Sequence, residues 1–286
     1  MKYGVLTSGE LGFIILNSLN KNFNVVFVMT DFGSLNIIEY CKVNSIPYFI
    51  GNPRNGKSDF FLSENECDFI ISINYIFLID SKIINHPKKK SINFHGSILP
   101  KYRGRSPHVW SIINGETEIG ITAHKIDEGC DSGEIIEQIK IKITKNDTGA
   151  SILEKYKKMY WPFVYEVIQK LIHNNFKLLK QNHTQATYFG KRTPEDGHIN
   201  WGWQKQQIRN WIRAQAYPYP GAFTFFNKNK IIIDSVRFSD FGFDYKQENG
   251  MILNIDPLVV KSSNGAIEIV TVRSNINFLK LYDVLS

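Results

Sequence analysis

Residues 3–16 read Tyr3-Gly4-Val5-Leu6-Thr7-Ser8-Gly9-Glu10-Leu11-Gly12-Phe13-Ile14-Ile15-Leu16. Gly4 to Thr7 is a short strand-like run. Ser8-Gly9-Glu10 then turns into a helix-periodic apolar stretch from Leu11 to Leu19. The same alternation continues outward. Val25 to Met29 is strand-like, and Leu35 to Lys42 is helix-like. Tyr48 to Ile50, a helix after Ser58, Asp68 to Ile73 and Ser91 to Phe94 follow. Strands alternating with helices predict a mostly parallel, doubly wound sheet.

Beyond that run, Gly120 to Ile126 and Glu134 to Ile143 look like a hairpin-like strand pair. A long helix is expected from Ala150 to about Ile172, with Pro162 set to kink or split it. After Asn182 the character changes. A short helix, Gln204 to Ala216, leads into the rigid turn Tyr217-Pro218-Tyr219-Pro220-Gly221. Short strands follow around Ala222 to Phe226, Lys230 to Phe238, Met251 to Ile255, Leu258 to Lys261 and Ala266 to Val272, a spacing that suits a small barrel. The expected class is α/β: a Rossmann-like, mostly parallel sheet flanked by helices, with a smaller C-terminal β-barrel-like (OB-like) domain. The expected domains are a catalytic domain at 1–184, a connector at 185–203 and a β-rich domain at 204–286.

The composition, 43% hydrophobic and 21% charged over 286 residues, is that of an ordinary globular protein. No apolar run approaches the roughly 20 residues needed to span a bilayer. The N-terminus lacks the basic start and cleavage site of a signal peptide, so a cytoplasmic chain without membrane contact is expected. Cys41, Cys67 and Cys130 have no C-x-x-C spacing, which argues against a metal site or a disulfide framework. The formal net charge is +7, but the basic residues are mostly scattered. Thr7 to Gly12 carries only Gly9 and Gly12 of a G-x-G-x-x-G pattern, weak support for a dinucleotide site.

The chemistry concentrates in Asn93-Phe94-His95-Gly96-Ser97-Ile98-Leu99-Pro100-Lys101-Tyr102-Arg103-Gly104. Asn93 and His95 are two apart at a strand end, so their side chains share a face and Phe94 points to the other. Ligands of parallel sheets bind at the carboxyl ends of the strands. A second piece, Asp127-Glu128-Gly129-Cys130-Asp131-Ser132-Gly133, sets a glycine-framed carboxylate in a turn. Such a turn can bring Asp131 to an imidazole, fixing its tautomer and favouring its charged form.

Asn93-x-His95 with Ser97 to Gly104, and the later Asp131-Ser132-Gly133, resemble the signature of folate-dependent formyltransferases. The similarity continues through Tyr188 to Asp196, Ile199-Asn200-Trp201, Ile212-Arg213-Ala214 and Pro220 to Phe223. These later runs resemble the sugar-nucleotide branch, including the type acting on UDP-4-amino-4-deoxy-arabinose. The resemblance implies 10-formyltetrahydrofolate as donor and no metal. It implies that Asn93 and protonated His95 stabilise an oxyanion and that Asp131 holds His95 charged and oriented, with either Asp131, through water, or His95 taking the amine proton. It places the pterin near Ser72, Asn74, Tyr75, Ile76 and Phe77, with Asp127 close by. It places the acceptor near Ser8, Gly9, Ser97, Lys101, Arg103, Arg105 and Trp110.

The acceptor implied is a nucleotide-linked amino sugar on dTDP, UDP or GDP, with a 4-amino-4,6-dideoxyhexose favoured. Arg105 and Trp110 match the sugar enzymes better than the tRNA enzymes. The setting implied is lipopolysaccharide or O-antigen synthesis by a homodimer. Methionyl-tRNA is the alternative acceptor. From Ala222 onward, however, acidic side chains balance basic ones, which gives no nucleic-acid surface. A folate-binding module without catalysis is the non-enzyme alternative, against which the intact Asn93, His95 and Asp131 argue.

Overall fold

The computed structural model describes residues 1–286. The chain folds into two compact units. One comprises Met1–Gly104, Ile119–Ile141 and Lys155–Phe189; the other comprises Arg105–Glu118, Lys142–Glu154 and Gly190–Ser286. The units therefore interleave along the chain. The segments around Arg105 and Asp147 group with the C-terminal residues.

The chain order begins β1 (Lys2–Thr7), α1 (Gly9–Asn22), β2 (Asn24–Thr30), α2 (Leu35–Val43), β3 (Tyr48–Ile50), α3 (Asp59–Ser63), β4 (Phe69–Ile73), α4 (Ser81–Ile84) and β5 (Lys90–His95). It continues with β6 (Arg103–Gly104), α5 (Pro107–Ile113), β7 (Glu118–Lys125), β8 (Ile135–Lys142), α6 (Gly149–Ile172) and β9 (Tyr188–Phe189). The main sheet has the order β3-β2-β1-β4-β5-β7-β8. Pairing is parallel from β3 through β5 and antiparallel between β5 and β7. From β1 the chain winds outward to β3, then returns to β4 on the other side of β1. That reversal makes the β1–β4 boundary a topological switch point, where open α/β sheets place ligands.

α1 buries Leu11, Ile15, Leu16 and Leu19, the stripe its period predicts. Gly4 is needed where the Phe27 ring crosses β1, because a Cβ there would sit 2.2 Å from that ring. Leu6, Phe27, Met29 and Ile70 form a core around this crossing. Phe94 points away from Asn93 and His95 as expected, and meets Phe163 of α6 edge-on at 5.9 Å. Pro162 does not split α6, which runs unbroken for 24 residues.

The second unit carries α7 (Lys205–Ala214), β10 (Ala222–Phe226), β11 (Asn229–Ser239), β12 (Ile252–Ile255), β13 (Leu258–Ser262) and β14 (Gly265–Val272). The five strands pair antiparallel in the order β10-β11-β14-β13-β12, a half-barrel. Ile208 and Ile212 of α7 pack with Ile231, Ile233, Val260 and Ile267 inside it.

Candidate active site

β5 delivers Asn93 and His95 because it is held on both sides. On one side Ser72 of β4 pairs with Asn93; on the other, His124 of β7 pairs with Asn93 and Thr122 with His95. Just beyond the strand, Tyr156 Oη donates to the Gly96 carbonyl at 2.6 Å. A side chain at Gly96 would press on the Tyr156 ring, at 3.1 Å. The loop that follows is fixed by buried polar contacts. Ser97 Oγ donates to the Lys101 carbonyl at 2.7 Å, and Thr122 Oγ1 donates to the Ser97 carbonyl at 2.6 Å. Gln138 Nε2 donates to the Leu99 carbonyl at 2.9 Å.

Asp131 sits at φ 51, a left-handed position that Asp tolerates better than most residues. Its carboxylate collects five groups, one of them the Cys130 thiol, which donates to Oδ2 at 3.7 Å. Oδ2 accepts from Gly104 N at 2.8 Å and lies 3.5 Å from His95 Nδ1. Oδ1 accepts from Asn93 Nδ2 at 3.3 Å and lies 3.6 Å from His124 Nε2. Burial alone would raise this carboxyl. The charge of His95, the contacts with His124 and the Gly104 amide outweigh it and hold Asp131 well below the usual carboxylate range. Asp131 is therefore an ionised acceptor at neutral pH.

The other His95 nitrogen, Nε2, donates to the Tyr102 carbonyl at 2.7 Å. Both ring nitrogens thus face oxygens. The Nε2 bond is short, whereas the Nδ1–Asp131 separation exceeds hydrogen-bond length. Nδ1 is the position open to sharing with another acceptor. Asn93 Nδ2 is similarly placed, 3.2 Å from His124 Nε2 and 3.3 Å from Asp131. Two donors therefore converge beside one carboxylate, the arrangement that stabilises negative charge developing on a carbonyl oxygen.

The stretch after β4 leaves regular structure at Asn74, φ 55, whose side chain donates to the Ser8 carbonyl at 2.8 Å. Ile76 and Leu78 are exposed, while Tyr75 and Phe77 pack edge-on at 5.6 Å. Ser72 is buried beside Asn93. An irregular backbone with an apolar rim next to Asn93 fits a flat heterocycle with amide-like edges. Asp127 Oδ1 accepts from Ser132 Oγ at 2.8 Å and from Gly129 N at 3.2 Å, so it shapes the Asp131 turn.

The residues expected around an acceptor divide. Gly9 N donates to Ser34 Oγ at 2.8 Å, and Ser8 is buried at the start of α1. Ser97 has no exposed surface, so it braces the loop and is not an acceptor contact. Arg103 departs from the expectation as well. It is 1% exposed and its two Nη atoms bond Gln181, His183 and Tyr188, so it is buried scaffolding where a diphosphate contact was expected. Lys101 and Arg105 are exposed. Within the second unit, Trp110 Nε1 donates to the Gly190 carbonyl at 3.1 Å, and Arg192 lies 4.9 Å from the Trp110 ring. Sequence reasoning missed His124, Thr122, Gln138 and Gln181. Only the β5–β7 register carries a trace of His124 and Thr122.

The pattern of the formyl transferase family matches residues 14–168, and that of the formyl transferase C-terminal domain matches residues 191–277. The chain belongs to the formyl transferase family. It is similar to the bifunctional polymyxin resistance protein ArnA of Wigglesworthia glossinidia brevipalpis, at 35% identity over 96% of this chain. The chain spans 43% of that relative's length. Its fold is shared with an N-formyltransferase from Helicobacter canadensis, solved with folinic acid and dTDP-3-aminofucose. The TM-score is 0.73 at 24% identity, covering 95% of this chain and 99% of that one. A 4-N formyltransferase from Francisella tularensis gives a TM-score of 0.68 at 23% identity, covering 81% and 96%. No helix is long and apolar enough to cross a membrane.

Proposed function

We propose that this chain transfers a formyl group from 10-formyltetrahydrofolate to the amine of a nucleotide-linked amino sugar. One observation carries the reading: Asn93 and His95 point two donors at the edge of an ionised Asp131, inside the region that matches the family. The folate supplies an activated formyl carbon. Ile76 and Phe77 would wall its ring and the backbone from Asn74 onward would read its edges. His95 Nδ1–H and Asn93 Nδ2–H would bind the oxygen of the attacked carbonyl as it gains charge. Asp131 keeps His95 oriented and, as the ionised group, receives the amine proton through water; the formyl C–N10 bond then breaks, N10 takes up that proton and tetrahydrofolate leaves.

The sugar branch is favoured over methionyl-tRNA by Arg105 and by the balanced charge of the half-barrel region. The related Helicobacter protein was solved with a dTDP-linked amino sugar, which supports the same acceptor class. A 4-amino-4,6-dideoxyhexose on dTDP, UDP or GDP is the substrate we favour. A homodimer in the cytoplasm, serving lipopolysaccharide or O-antigen synthesis, completes the proposal. The contiguous division at 184 and 204 remains our proposal for where the catalytic and β-rich domains meet in sequence. The test is a panel of amino-sugar nucleotides with 10-formyltetrahydrofolate. Formylation of at least one sugar is expected; formylation of methionyl-tRNA with no sugar accepted overturns the choice.

A further inference from the structure

The two acceptors that face His95 come from different loops. Nε2 meets the Tyr102 carbonyl and Nδ1 meets the Asp131 carboxylate. One distant segment holds both. Tyr102 N donates to Thr187 Oγ1 at 2.8 Å, and Arg103 N donates to the Thr187 carbonyl at 2.9 Å. On the other loop, Gln181 Nε2 donates to the carbonyls of Asp131, at 2.9 Å, and Gly133, at 2.7 Å.

The Gln181 amide is fully used. Its Oε1 accepts from Arg103 Nη2 at 2.6 Å, which fixes which end of the amide faces the turn. Both side chains are buried, Gln181 at 6% exposure and Arg103 at 1%. The guanidinium has no carboxylate partner; it donates to Tyr188 Oη at 2.5 Å and His183 Nδ1 at 3.1 Å, while its buried Nε has no hydrogen-bond partner. Burying a cation among neutral groups is costly unless it is hydrogen-bonded. One of its hydrogen bonds goes to the amide that grips the Asp131 turn.

We infer that Gln181 is a positioning residue for formyl transfer, oriented by Arg103, that sets the distance between Asp131 and His95. The inference rests on the formyl-transfer reading of the site. Relaxing the turn would separate Asp131 from His95, His124 and Gly104 N, the groups that hold its carboxyl ionised at low pH. A purely stabilising network would leave those separations unchanged.

Gln181→Glu is the sharpest variant. It keeps an acceptor for Arg103 but has no donor for the Asp131 and Gly133 carbonyls. In the purified full chain, the acid titration of the His95 and His124 ring resonances reports Asp131 by NMR. The inflection is expected to move to higher pH in Gln181→Glu and also in Gln181→Ala, which adds no charge of its own. With a formylated acceptor in hand, kcat should fall by about 10²-fold with a smaller change in KM. Gln181→Ala gives the same readout if the added charge prevents folding. A folded variant with the wild-type titration and wild-type kcat overturns the inference. If the wild type formylates no acceptor, the proposed function fails, and the titration still decides whether Gln181 positions Asp131.

Discussion

Arg103 and Arg105 stand on either side of Gly104, and the two regions they belong to are built differently. Arg103 lies with the strand-end cluster. There His95, His124 and Gln181 are buried, and each is held by a hydrogen-bonded neighbour. Arg105 begins the segment that leads into α5, where the side chain is exposed and the backbone turns through Ser106 at φ 52. The first region has the rigidity that charge stabilisation needs, because preorganised donors cost no reorganisation during reaction. The second has the exposure that the acceptor site we propose needs. The same residue type, two positions apart, is buried scaffolding in one and solvent-facing in the other.

The largest expected effect breaks the cluster itself. His95→Ala and Asn93→Ala should each lower turnover by about 10²–10³, measured with a sugar nucleotide that the wild type formylates. Near-normal turnover in both would end the comparison, because the buried region would then not be the chemical one. Next, Arg103→Met should destabilise the fold by about 1.5–3 kcal/mol, since its hydrogen-bond partners lose a buried charged donor. Urea unfolding measures this, and a loss confined to KM would instead return Arg103 to the acceptor site.

The pH dependence follows from Asp131. Its folded pKa is depressed, so its stabilising contribution is present above the unfolded value of about 3.9. That contribution is lost as pH falls below it toward the folded value. Wild-type stability should therefore drop on acidification in this window, and the drop should be shallower in Asp131→Asn. Urea midpoints over acid pH for the two proteins test it. The smallest effect is expected at Arg105→Ala. KM for the sugar nucleotide should rise about tenfold with kcat unchanged. A fall in kcat equal to the rise in KM would move Arg105 into the chemical region.

Much of this was legible in the sequence where the physics is local. Alternation along a strand placed Asn93 and His95 on one face and Phe94 on the other, because a two-residue period admits no other arrangement. Glycines around Asp131 marked a turn, and the half-barrel strands were marked by their spacing. Long-range register was not legible. His124 joins the site only because β7 runs antiparallel to β5 with His124 opposite Asn93. Gln181 reaches the Asp131 turn across 50 residues. Arg103 was misplaced because adjacency to a catalytic motif carries no information about burial.

Asn93, His95, Gly104, His124, Asp131 and Gln181 all fall within a single compact unit. On the function we propose, the chemical groups therefore belong to one body of the protein, and substitutions confined to the other unit should change KM for the acceptor before they change kcat.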